Sequence, residues 1–265
     1  MARSPFSRPL VLLLATLGLA GFARAETTDW IGNEGGRARL VALPAGPDGT
    51  RRGMIEIEPS PGWITYWREP GDSGIPPQLS LSAPASLLSM DFPAPKVLKL
   101  GSLTDIGYDA PVALPIRIGN AAGKITADLF IGLCKDICIP FQASFTLDPA
   151  HGHRPEEERA VAAAEAAVPP AGTEGLAIRA GRLSPEGDRM TLSLALSPPG
   201  AEAEAVLTGP SGYVFTARGK ADATGVLSLD VPLKGLKPGP ALKSLPWRVL
   251  LMTQDKAIEA DLTPE

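Results

Sequence analysis

Glycine and proline, 28 of each in 265 residues, punctuate the chain at short intervals, and this spacing limits its fold more than any other feature. Proline breaks a helix and glycine weakens one, so the segments between them favour short strands joined by turns. Met54-Ile-Glu-Ile-Glu58 alternates with period two, the mark of a half-buried strand. Further strands are expected at 37–43, 78–82, 112–118, 124–131 and 143–147, with a turn cluster at Pro44-Ala-Gly-Pro-Asp-Gly49. Pro115 interrupts one of them, which predicts an edge strand or a bulge. After Gly172 the pattern resumes at 176–180, 189–195, 203–207, 213–215, 225–231 and 247–252. The expectation is an all-β chain built of sandwiches of antiparallel sheets.

Two segments depart from this pattern. Arg3 and Arg8 precede the apolar run from Leu10 to Ala20, and Ala23-Arg-Ala25 has the form cut by signal peptidase, so residues 1–25 are expected to be an export signal. Without Arg3, Arg8 and Arg24 the chain carries 22 basic against 29 acidic side chains, a net of -7. That balance and the lack of a basic stripe argue against nucleic-acid binding. No later stretch reaches the roughly 20 apolar residues of a membrane span. The second exception is Pro155 to Val168, where proline at a first helical position, three glutamates and an alanine-rich run predict a helix stopped by Pro169-Pro170. Its small apolar surface makes it a linker at 151–170 between a first β domain at 26–150 and a second at 171–265.

Cys134 and Cys138 are the only cysteines, set in Ile131-Gly-Leu-Cys-Lys-Asp-Ile-Cys-Ile-Pro-Phe141. Outside the cytoplasm such a pair can oxidise. A three-residue turn at 135–137 would make the two partners at a hairpin end and bring their Cβ atoms within disulfide range. A structural staple is the plain reading, yet closing so short a loop stabilises by only about 2 kcal/mol. Redox work would need one accessible sulfur to form a mixed disulfide and its neighbour to resolve it. No βαβ pattern surrounds the pair, which disfavours a thioredoxin-like enzyme. A third reading joins Cys134 and Cys138 with His151 and His153 as a copper or zinc site, although the histidine spacing is shorter than usual.

The other dense feature is Pro61-Gly-Trp-Ile-Thr-Tyr-Trp-Arg-Glu-Pro-Gly-Asp-Ser-Gly74. Trp63, Tyr66, Trp67, Arg68 and Asp72 are expected either to stabilise the fold or to form a partner surface beside the cysteines. No serine elbow, dinucleotide fingerprint, phosphate loop or zinc-protease motif occurs, and no cofactor is implied.

From about Trp30 to Asp148 the chain resembles the N-terminal periplasmic domain of the thiol:disulfide reductase DsbD, and especially DsbD-like proteins of the ScsB type. The resemblance rests on Gly62 to Gly74, on Tyr108 with Leu114-Pro-Ile116, and on Cys134-Lys-Asp-Ile-Cys-Ile-Pro140 followed by Phe145-Thr-Leu147. It implies an immunoglobulin-like β sandwich whose cysteine pair takes electrons from a membrane donor and passes them to soluble periplasmic thiol-disulfide proteins. It also implies that Cys138 attacks and Cys134 resolves. Three residues separate the cysteines here, fewer than in the familiar DsbD domain. Segment 96–104 takes the place of that domain's aromatic cap but lacks the aromatic, so no cap residue is carried over. The leading expectation is therefore a periplasmic exchange or electron-transfer protein. The alternatives are a noncatalytic binding or assembly module with a structural disulfide, and a metal chaperone.

Overall fold

The structure, a computed structural model, describes residues 27–121, 123–147, 155–209, 212–237 and 240–265. The expected export signal lies outside them. The first half runs through β1 (Ile31–Asn33), β2 (Gly36–Ala42), β3 (Arg51–Pro59), β4 (Thr65–Gly71), β5 (Gln78–Leu81), β6 (Ser86–Met90), β7 (Lys96–Leu100), β8 (Leu103–Tyr108), β9 (Val112–Gly119), β10 (Ile125–Cys134) and β11 (Cys138–Leu147). These form antiparallel sheets ordered β1-β2-β3-β9-β6, β11-β10-β5 and β4-β8-β7. Alternation sets their inner faces. Leu40, Ile55, Ile57, Leu114, Ile116 and Ile118 of the first sheet meet Leu129, Ile131, Leu133, Phe141 and Phe145 of the second, while the third adds Trp67 and Ile106. The result is the expected immunoglobulin-like sandwich.

Pro115 departs from its expectation. It stands in β9, an interior strand between β3 and β6. β6 ends at Met90, opposite Ile116, so Pro115 lies just beyond the paired stretch and accepts from Asp91 N at 2.8 Å. Its missing N–H therefore costs the sheet no ladder bond.

The helix α1 (Pro155–Ala166) is more than a linker. Val161 and Ala164 are buried on the outer face of the first sheet, against Val41, Leu43 and Met54. Arg52 Nε donates to Glu165 at 2.8 Å and Thr27 Oγ1 to Glu157 at 2.5 Å, fixing both ends. One valine and a row of alanines suffice because the sheet supplies the bulk.

The second half contains β12 (Leu176–Leu183), β13 (Arg189–Leu196), β14 (Glu202–Thr208), β15 (Val214–Lys220), β16 (Val226–Pro232), β17 (Trp247–Met252) and β18 (Ala257–Leu262). Sheets β12-β13-β16 and β15-β14-β17-β18 enclose a core of Leu192, Leu194, Leu207, Leu229, Trp247, Val249 and Leu251. Val206 and Leu250 point the other way and join the core of the first half. β14 and β17 are thus covered on both faces, and the two halves pack directly against one another.

Candidate functional site

The hairpin β10–β11 runs in register from Ile125 opposite Leu147 to Cys134 opposite Cys138, with Lys135, Asp136 and Ile137 as its turn. The two sulfurs are joined in a disulfide and the Cα atoms stand 4.1 Å apart. Lys135 N donates to Ile137 O at 3.1 Å and closes the turn. Cys134 is held from its other side: Ile64 N donates to Cys134 O at 2.8 Å, and Cys134 N to Ile64 O at 3.0 Å. Its side chain is 2% exposed and packs with Ile64, Tyr66 and Leu98. Cys138 is exposed at the start of β11. Cys134 is anchored and buried, whereas Cys138 is an exposed residue.

Tyr66, fully buried on β4, carries its hydroxyl 3.5 Å from Cys138 Sγ. Because a disulfide sulfur has no proton, the hydroxyl is the donor. The ring reaches this place through a slot between two glycines. A Cβ on Gly74 would lie 2.3 Å from Tyr66 Cδ1, and one on Gly132 3.2 Å from Cδ2. Behind the ring stands the buried Asp105 carboxylate, which accepts from Ser73 N at 3.0 Å and Ser73 Oγ at 2.7 Å. Burial, then the charge of Asp105, push the Tyr66 pKa up to about 12, so the phenol stays protonated at neutral pH. A protonated phenol beside a reduced Cys138 would stabilise its thiolate. Tyr66→Phe is therefore expected to raise the Cys138 thiol pKa by about one unit in the reduced protein. The pH profile of thiol alkylation reads this directly, and an unchanged profile would leave the hydroxyl a packing role only.

The expected partner surface divides on inspection. Trp67 is 1% exposed and Tyr66 is buried, so neither offers a ring face to a partner. Trp63 is half-buried, close against Gly35, and Asp72 is exposed but engaged, accepting from Thr104 N at 2.7 Å. Arg68 lies 3.9 Å above the Trp67 ring and forms an ion pair with Glu259 of β18. Burial and the like charge of Arg248 pull its pKa down to about 10. A cation held this way joins the two halves. His151 and His153 lie outside the described residues; among the described residues no group of three or more His, Cys, Asp or Glu side chains gathers to hold a metal. Sequence reasoning missed Leu98, Asp105 and Glu259. Leu98, partly buried, packs on the cluster of Ile64, Tyr66 and Cys134.

The fold and the pair define a β-sandwich domain with a disulfide at a hairpin tip. Residues 37–150 match the family model of the N-terminal part of thiol:disulfide interchange protein DsbD. This portion is DsbD-like in sequence and carries a disulfide-forming cysteine pair. The N-terminal periplasmic domain of ScsB from Proteus mirabilis superposes with a TM-score of 0.76 at 22% identity, covering 91% of this chain and 98% of that one. The shared fold therefore extends over both halves. Oxalate decarboxylase from Bacillus subtilis aligns over 91% of this chain and 79% of that one at 13% identity, but a TM-score of 0.16 denotes no common fold. No curated protein matches the chain in sequence. Among the described residues no helix is long and apolar enough to cross a membrane.

Proposed function

We propose that this protein is a periplasmic thiol:disulfide exchange protein in which Cys138 attacks and Cys134 resolves. The observation that carries the reading is the asymmetry of the pair: Cys138 is exposed beside the Tyr66 hydroxyl, whereas Cys134 is buried and pinned through its backbone to Ile64. In the reduced protein the Cys138 thiolate attacks one sulfur of a partner disulfide, and the other partner sulfur leaves as a thiolate. Cys134, deprotonated, then attacks Cys138 Sγ, reforming the disulfide and releasing the second partner thiolate, so two electrons pass to the partner. A membrane protein that supplies electrons would run the same steps backwards to regenerate the dithiol. The aromatic segment positions this pair and joins the two halves, and partner contact falls to the hairpin itself.

Trapping tests the assignment. With Cys134→Ser a mixed disulfide through Cys138 should accumulate in the periplasm and disappear on reduction, and Cys138→Ser should trap far less. Mass spectrometry of the complex identifies the joined cysteines and the partner. A complex formed only through Cys134 would reverse the roles, and no complex from either variant under reducing or oxidising growth would favour a structural disulfide.

A further inference from the structure

The backbone beside Cys138 carries information that its side chain does not. Along β10 the even-numbered residues turn their N–H and C=O groups away from β11. Cys134 bonds Ile64 in both directions, Gly132 N donates to Ile75 O at 3.4 Å, and Thr126 O accepts from Ser82 N at 2.9 Å. In an antiparallel ladder the residues opposite these, Cys138, Pro140 and Thr146, must likewise turn their groups outward. β11 is the edge of its sheet, and among the described residues no backbone group bonds the N–H or C=O of Cys138. Pro140 fits the same geometry, since its nitrogen faces the open side where no donor is needed. An open edge invites pairing with any passing strand. Here it is open at the redox cysteine and deprived of a donor two residues on, which suits a short segment better than another sheet.

We propose that Cys138 receives its partner by strand addition: an extended, cysteine-bearing segment of the disulfide partner pairs antiparallel with the edge of β11, its cysteine directly opposite Cys138. This inference rests on the exchange reading above. Residues that exchange both backbone bonds stand about 5.5 Å apart at Cα, inside the roughly 4.4–6.8 Å that a disulfide spans. The Cys138 sulfur then has one neighbour on each side in register, Cys134 on β10 and the partner cysteine on the added strand. Rotation about its Cα–Cβ bond carries it from one to the other. Ile137, 69% exposed at the turn, offers apolar contact to the end of such a segment. Recognition through main-chain groups would accept partners of varied sequence, provided that the cysteine lies in an extended stretch.

The probe is a seven-residue peptide of alternating threonine and valine with one central cysteine, held as a mixed disulfide with an aromatic thiol. It is offered to the isotope-labelled full chain carrying Cys134→Ser, or Cys134→Ala if a hydroxyl is not accepted at that buried position. The Cys138 thiolate attacks the peptide sulfur, and the aromatic thiolate leaves with the electron pair of the broken bond. Amide exchange at Cys138 should then slow by about tenfold or more, whereas the glutathione adduct should leave it fast. Methylating the peptide nitrogen of the central cysteine should slow the joining by about tenfold. Equal joining rates for both peptides with an unprotected Cys138 amide would overturn strand addition and leave the exchange reading standing. Failure of every probe to join Cys138 would overturn the exchange reading itself, and strand addition with it.

Discussion

Trp67→Ala is expected to lower the stability of the folded chain by about 3–5 kcal/mol, the range for removing a fully buried large aromatic. Trp67 is 1% exposed and shares one core with Ile106 and Tyr108 of the first half and Val206 and Leu250 of the second. Truncation leaves a cavity where the two halves meet and removes the ring on which Arg68 rests, 3.9 Å away, as it reaches Glu259. The same ion pair constrains the side chains that could fill the space, so little collapse is expected. Denaturant unfolding followed by fluorescence and far-ultraviolet dichroism measures the loss. A surface tryptophan that served only partner contact would cost within about 0.5 kcal/mol, and that result would return Trp67 to the partner surface.

Much of this architecture was legible because its signals are local. Met54-Ile-Glu-Ile-Glu58 alternates and lies in β3, and the three-residue turn between the cysteines became the tip of β10–β11. The packing of one half on the other was harder to read, although Trp247-Arg-Val-Leu-Leu-Met252 held a clue. Its unbroken Val-Leu-Leu lacks the alternation of a strand with one wet face, and β17 is indeed covered on both sides. β18 was missed because Ala257-Ile-Glu-Ala-Asp-Leu262 carries two acidic residues and two small alanines among six, and with it went Glu259, whose partner Arg68 lies far away in sequence. The helix was read correctly as a helix but not as a cover, since alanine gives a weak amphipathic signal even when a sheet packs on it. At the site, the cysteines and Tyr66 stood out by type, whereas Asp105 could not be placed. No strand was expected at 103–108, so nothing placed its aspartate until the fold brought Ser73 to it.

Gly74→Ala should cost about 3 kcal/mol and disturb the redox pair as well, although residue 74 touches neither cysteine. The new Cβ would fall 2.3 Å from Tyr66 Cδ1 and 2.4 Å from Pro70 Cβ, distances that no side-chain rotation at 74 can relieve. Pro70 is held by its own ring. Tyr66 cannot slide away either, because the opposite edge of its ring lies against Gly132 and its strand is paired to β8 through Gly107. The ring must tilt, and a tilt moves the hydroxyl away from Cys138 Sγ, so the shift in thiol pKa expected for Tyr66→Phe should reappear at Gly74→Ala with the hydroxyl still present. Gly123→Ala is the matched control, since its Cβ would meet nothing within 4 Å; it should change stability by no more than about 0.5 kcal/mol. A double-mutant cycle separates crowding of the ring from damage to the backbone. If the ring is what the new methyl meets, Tyr66→Ala combined with Gly74→Ala should cost at least about 1 kcal/mol less than the sum of the single changes. Strict additivity, or an alkylation profile untouched by Gly74→Ala, would mean that the glycine serves the turn alone and that the slot does not set the position of the phenol.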